Sequence, residues 1–185
     1  MKEFAKNSFR EGKERTVVTD SIWTRLSEIR DAGALMELDS LVWDKHSSPG
    51  GQIHWSSREH YLQKCPPGSQ IVAGIGDTIC GYMGFSSPTP LQSNNHVYDI
   101  NIAIHPNFQR RGVGRILMNE MKTVAAKSGV RKLSLRVLAT NPGAVSFYGS
   151  CGFVEQGRLV EEFFLDGQYV DDILMWCPVP EPLTD

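Results

Sequence analysis

Gln109, Arg110, Arg111, Gly112, Val113, Gly114 and Arg115 stand between an alternating run that Pro106 ends and an amphipathic stretch that opens at Gly112. Strand, glycine loop and helix in that order make a cradle for phosphate. The free amides of a helix start and the positive end of its dipole attract an anion. Glycine lets an oxygen approach the backbone without meeting a Cβ, and the three arginines add charge. Two nucleotide loops are excluded. No Lys with a following Ser or Thr comes after these glycines, and Leu117 stands where a dinucleotide loop would carry a third Gly or Ala. Two glycines ahead of a helix also make an ordinary turn, so this segment alone leaves both readings open. Cys65, Cys80, Cys151 and Cys177 lack the close pairing of a zinc site or redox dithiol. No metal is expected, and the four read as reduced structural thiols.

The elements that must position this loop follow from periodicity. Residues 22–29 alternate as a strand, and Asp31 takes an N-cap position ahead of Leu35, Leu38, Asp39 and Val42, a helix running to about residue 44. Ser56 and Glu59 have capping-box spacing, opening a short helix that Pro66 and Pro67 must end. Residues 70–76 and 78–85 form a hairpin about Gly76 and Asp77. Residues 97–105 put Tyr98, Ile100, Ile102 and Ile104 on one face and Val97, Asp99, Asn101, Ala103 and His105 on the other. Val113, Ile116, Leu117, Met121, Val124 and Ala125 form a helical stripe that closes at Gly129. Leu133, Leu135 and Val137 mark a strand, Asn141 and Pro142 a turn into a short helix over 144–150, and Asp166 with Gly167 a hairpin joining 154–165 to 168–176. The chain reads as α/β (α+β), a mixed and mostly antiparallel sheet with helices. Residues 1–15 read as a charged arm and 16–185 as one domain.

Composition narrows the class. At 185 residues, 41% hydrophobic and 22% charged, fibrous and disordered proteins are excluded. The longest near-apolar stretch, residues 71–85, is broken by Asp77 and is shorter than the roughly 20 residues a membrane helix needs. The charged N-terminus has no apolar run like a secretory signal, so a cytoplasmic protein is expected. A net charge of −2 argues against nucleic-acid binding. Residues 109–136 hold eight Lys and Arg against Glu120, whereas 155–185 hold eight Asp and Glu against Arg158. On charge alone these are two solvated faces.

About 30 residues beyond the loop come Asn141, Ala144, Phe147, Tyr148, Gly152 and Phe153. With them, residues 97–177 resemble the GNAT superfamily of acyl-CoA-dependent N-acyltransferases. Its phosphate loop, Gln or Arg, two residues, Gly, one residue, Gly or Ala, is matched by Gln109, Gly112 and Gly114. Residues 16–96 fit the family's opening strand, two helices and hairpin more loosely, and residues 1–15 have no counterpart. The resemblance implies a GNAT-type fold, a twisted, splayed sheet of about six to seven strands flanked by about four helices, with acetyl-CoA as cofactor. It implies pyrophosphate on the amides of Arg111 through Arg115, pantetheine along Ile102, Ala103 and Ile104, and Asn141 and Phe147 beside the arm. Tyr148 would protonate the departing thiolate. Cys151 has no His and carboxylate pair nearby, so an acyl-cysteine route is disfavoured.

The resemblance also demands a base or water chain for the attacking amine. Asp99 is the first candidate, since some small-molecule members carry Glu at what looks like this position. An ordinary carboxylate near pKa 3.9 is a weak base for an alkylammonium, so Asp99 would act through water or hold the cation. His105, beside Pro106, reads as structural. The acceptor pocket would come from the loop between the first two helices and from the last strands: Trp43, His46, His54 and Trp55, with Glu161, Glu162, Asp171 and Asp172, and Asn101 beside them. Aromatics and acids suit a cationic amine. The implied function is direct acetyl transfer from acetyl-CoA to a primary amine of a small molecule, such as an amino acid, polyamine or aminoglycoside. The alternatives are a protein or peptide N-terminus or lysine, and a non-catalytic acyl-CoA-binding module. Dimers are frequent in such proteins, and nothing in the sequence shows one.

Overall fold

The computed structural model describes residues 21–180, and the charged arm over 1–15 lies outside them. The chain runs β1 (Ile22–Leu26), α1 (Ala32–Val42), α2 (Arg58–Lys64), β2 (Gln70–Ile75), β3 (Thr78–Ser86), β4 (Val97–Ile104), α3 (Val113–Lys127), β5 (Lys132–Leu138), α4 (Pro142–Ser150), β6 (Val154–Leu165) and β7 (Gln168–Pro178). One seven-stranded sheet has the order β1-β2-β3-β4-β5-β7-β6. Every neighbouring pair is antiparallel except β4 with β5. That parallel pairing covers only Val97, Tyr98 and Asp99 against Lys132, Leu133 and Ser134. Beyond Asp99 the two strands part, and the β5-facing edge of β4 from Ile100 to Ile104 pairs with no strand among the described residues.

Helices cover the sheet on both faces. On one, Leu117, Met118 and Met121 of α3 and Tyr148 of α4 pack on Ile71, Met83, Ile100, Leu133, Leu135, Ile173 and Met175. On the other, Leu35 and Leu38 of α1 and Tyr61 of α2 pack on Val72, Tyr82 and Ala103. Full burial of a side chain such as Leu117 stabilises the fold by about 2 kcal/mol. The face of β4 expected to be polar is therefore covered at Ala103, which is fully buried, while Asn101 stays exposed. A bulge at Cys80 resets the alternation of β3. Gly81 pairs with Ala73 and Ile79 with Gly74, leaving Cys80 as the extra residue. In α3, Met118 rather than Ile116 completes the buried stripe.

The remaining differences from the sequence reading lie at ends and caps. The first strand stops at Leu26, and Ile29–Asp31 form a 3-10 turn instead of continuing it. The Asp31 carboxylate is drawn away from the α1 cap. It accepts two hydrogen bonds from Arg25, at 2.6 and 2.8 Å, and one from the Glu28 amide. Ser57, not Ser56, caps α2, accepting from the His60 amide at 3.1 Å. The Cys80, Cys151 and Cys177 thiols are buried, Cys65 is half-buried, and all four are free. Burial pushes Cys177 up to about 11.

In the last hairpin β6 bulges strongly. Leu159 pairs with Asp172 and Phe163 with Val170, so three residues, 160–162, face Asp171 alone. Glu161 takes a left-handed φ of 55°, and its amide donates to Asp171 at 2.9 Å. No helix among the described residues is long and apolar enough to cross a membrane.

Candidate active site

The parting of β4 and β5 opens a cleft of about 620 Å³, and the loop before α3 closes one end of it. Gln109, Arg110, Gly112, Gly114 and Arg115 line that end. The first backbone bond of α3 runs from Ile116 to the Gly112 carbonyl at 3.1 Å, so the amides of Val113, Gly114 and Arg115 have no helical acceptor. The two glycines serve different ends. Gly112 is needed for its φ of 85°, and a Cβ there would meet open space. At Gly114 a Cβ would lie 3.1 Å from Phe147 Cζ, so that glycine admits the Phe147 ring against the helix start. Arg110 also holds a left-handed φ of 60°, Arg111 lies over the Phe108 ring at 5.4 Å, and Arg115 donates to Ser150 Oγ at 3.2 Å. This positive, donor-rich end fits a pyrophosphate.

Asn141, Phe147 and Tyr148 line the cleft, as do Ile102 and Ile104 from β4. Asn141 caps α4, its Oδ1 accepting from the Ala144 amide at 3.1 Å, which leaves its amide nitrogen free for another acceptor. Tyr148 is 7% exposed, wedged between Phe147 and Phe153, and no protein group among the described residues hydrogen-bonds its hydroxyl. Burial pushes that phenol above its ordinary value of 10, so it stays protonated at neutral pH. His105 accepts from the Asn107 amide at 3.1 Å, a turn contact.

Asp99 sits where β4 and β5 part, half-buried, and accepts from Ser134 Oγ at 3.2 Å. Burial raises its pKa. The Ser134 bond and the charge of Arg136 pull the other way. It lines no cleft, whereas Asn101, two residues on, does. Arg136 also lines the cleft, donating from Nε to buried Asp172 and from Nη2 to Glu162 at 3.5 Å. Arg136 was not singled out from sequence, because a basic residue on the outward side of a strand is usually a surface charge.

A second cavity of about 630 Å³ adjoins the first, since Trp43 and Asn101 line both. Asp39, Trp55 and Tyr82 also line it. The Asp39 carboxylate, in a residue 2% exposed, accepts from Tyr82 Oη at 2.5 Å, Trp43 Nε1 at 3.1 Å and Trp55 Nε1 at 2.8 Å. Burial pushes Asp39 up and the three donors pull it down, while burial together with the adjacent carboxylate drives Tyr82 well above 10. Asp39 escaped the sequence reading as a site residue. The available signal was a carboxylate on an apolar helical stripe, four residues before a tryptophan.

Four of the expected acceptor residues lie elsewhere. His46 lies exposed in the turn over 44–47, its amide bonded to Asp44 Oδ1, and His54 is exposed. Neither lines a cleft. Asp171 is spent on the bulge of β6, holding the Glu161 amide and pairing with Arg158 at 3.2 Å, which keep its carboxyl below the usual range. Glu161 is exposed on that bulge. Trp43, Trp55 and Asn101 are brought together around the second cavity.

Comparison with known proteins agrees with this geometry. The acetyltransferase (GNAT) family model matches residues 35–153, and the chain belongs to that family. Spermidine N(1)-acetyltransferase of Vibrio cholerae is 42% identical over 74 residues, 40% of this chain and 43% of that protein. The [ribosomal protein bS18]-alanine N-acetyltransferase of Salmonella typhimurium is 38% identical over 80 residues, 43% of this chain and 53% of that protein. The chain thus spans about half the length of these curated relatives. The crystal structure of smu.2055 from Streptococcus mutans UA159 superposes with a TM-score of 0.78 at 30% identity, covering 85% of this chain and 99% of that one.

Proposed function

We propose that the protein transfers the acetyl group of acetyl-CoA directly to a primary amine of a small molecule. The observation that carries this reading is the parting of β4 and β5 beyond three residue pairs. It exposes a strand edge, opens onto the free amides of α3 and admits the unbonded Tyr148 hydroxyl. Acetyl-CoA supplies a thioester carbonyl that an amine attacks. The amides of residues 113–115 with Arg110 and Arg115 hold its pyrophosphate. The Ile102 main chain and the Ile104 amide, which by alternation face away from β3, and the Asn141 amide nitrogen hold its extended arm.

Each step then has a group of this chain. Main-chain N–H groups on the open edge of β4 stabilise the oxyanion that develops on the attacked carbonyl. Carbon–nitrogen bond formation leaves a proton on the amine, and Asp99 takes it through water, its burial making it a better base than an exposed carboxylate. As the carbon–sulfur bond breaks, Tyr148 donates its proton to the thiolate and regains one from solvent.

Two observations favour a small amine over a protein terminus. Lys45, within the segment 42–47 that flanks the cleft, pairs with Asp166 at the tip of the β6–β7 hairpin at 2.8 Å. A peptide lying between them would have to break that tie. The similarity to a spermidine acetyltransferase supports the same choice, and that to a ribosomal-protein-alanine acetyltransferase keeps peptides in the test. The test is thiol release from acetyl-CoA across diamines, amino acids, aminoglycosides and short peptides. Turnover confined to small amines is the expected result. Turnover confined to peptides would replace the acceptor class, and tight acetyl-CoA binding with no turnover would point to a non-catalytic module.

A further inference from the structure

A carboxylate inside an apolar layer is costly unless charge or hydrogen bonds compensate it. Asp39 stands in the layer between α1 and the sheet with Leu35, Leu38 and Tyr82 around it. Its three donors, two indoles and a phenol, are all neutral. No cation among the described residues pairs with it. Lys64 lines the same cavity but is exposed and makes no ion pair. Three donors compensate the buried carboxylate, yet they do not explain the roughly 630 Å³ left open beside it.

We infer that this second cavity receives the distal ammonium group of a diamine or polyamine acceptor, with the Asp39 carboxylate as counter-ion and Trp43, Trp55 and Tyr82 as aromatic walls. Among the described residues Oδ2 accepts only from Trp55, which leaves it room for one more donor. Trp and Tyr rings attract cations through their faces. The volume is within the range of small-molecule sites. Trp43 and Asn101 belong to both cavities, so one extended molecule can place its reacting amine in the cleft and its second charge against Asp39. The inference rests on the acetyl-transfer reading for the first cavity and names the acceptor class for the second.

The test compares 1,4-diaminobutane with butylamine. The wild-type protein should favour the diamine in kcat/KM by about 10- to 100-fold, the range expected of one charge-assisted hydrogen bond. Asp39→Asn should bring the ratio to within about threefold. A purely structural Asp39 would lower both rates and leave the ratio standing, which would overturn the inference. Because the variant can fail to fold, a second measurement uses the wild-type protein. Cys65 lines this cavity and is the half-buried thiol of the four, so its alkylation by iodoacetamide reports occupancy. Tetramethyl-1,4-diaminobutane, which has no acetylatable amine, should slow that alkylation, and an unchanged rate would overturn the proposal. Absence of turnover with every amine would instead sink the acetyl-transfer reading, while Cys65 protection would still report whether the cavity binds a diammonium.

Discussion

Replacing Tyr148 with Phe removes one oxygen that no group among the described residues holds, and this makes the variant a clean probe of proton donation. Burial puts the phenol above 10, whereas a thiol titrates near 8.5. Proton transfer from one to the other is therefore uphill by at least about 2 kcal/mol. General acids usually contribute about 10²- to 10⁴-fold, and an uphill donor to a fair leaving group belongs at the lower end. The expected result is a kcat about 100-fold lower by thiol release. Calorimetry should give an acetyl-CoA affinity within about twofold, because Asn141, the α3 amides and the β4 edge are untouched. No buried group loses a partner, so the unfolding temperature should change by no more than about 2 °C. The pH dependence has a definite sign. The phenol donates only while protonated, so the wild-type rate should show no loss from this group until the pH passes 10. A kcat within about threefold of wild type would refute the acid role, and so would a fall in kcat matched by weaker acetyl-CoA binding.

Gly112→Val forces a β-branched residue into a φ of 85°, a strain of roughly 1–2 kcal/mol, and should weaken acetyl-CoA binding by calorimetry; unchanged affinity would count against the phosphate assignment. Asp31→Asn should destabilise the fold by about 2 kcal/mol at neutral pH by urea unfolding, since the Arg25 bonds lower the Asp31 pKa in the folded state. That contribution is present above the unfolded carboxylate value of about 3.9 and lost as pH falls through the depressed folded one. The two proteins should therefore converge in stability under strong acid, and a constant difference down to pH 2 would refute the linkage. Asp166→Asn breaks an exposed pair worth under about 1 kcal/mol, so stability should hold while short peptides gain severalfold in rate relative to diamines. An unaltered peptide-to-diamine ratio would remove the hairpin from acceptor choice.

The order of elements was legible because the relevant patterns are local. Gly76 with Asp77 and Asp166 with Gly167 mark their own hairpins, and Gly112 and Gly129 bracket α3 by their backbone freedom. The glycine loop at one end of the cleft was legible for the same reason, as a contiguous segment, with Asn141 and Tyr148 following one strand later. What stayed hidden depends on contacts between residues far apart in sequence. Asp31 left its cap for Arg25, and Asp171 was claimed by a bulge that no spacing announces. Asp39 reads as a polar interruption of a helix until Trp55 and Tyr82, 16 and 43 residues away, close around it. The two faces of β4 were separable by alternation, yet only the packing of α1 reveals that Ala103 is covered and Asn101 is not.

The three-pair seam between β4 and β5 has a mechanical meaning as well as a chemical one. Strands β1–β4 and β5–β7 are two plates laddered together only at residues 97–99, and the hydrophobic layer beneath α3 and α4 supplies the continuity that the ladder lacks. A molecule bonded along the open edge of β4 lengthens that seam. Occupancy of the slot and rigidity of the whole sheet are then a single equilibrium, so the protein's resistance to unfolding rises and falls with the concentration of whatever fills it.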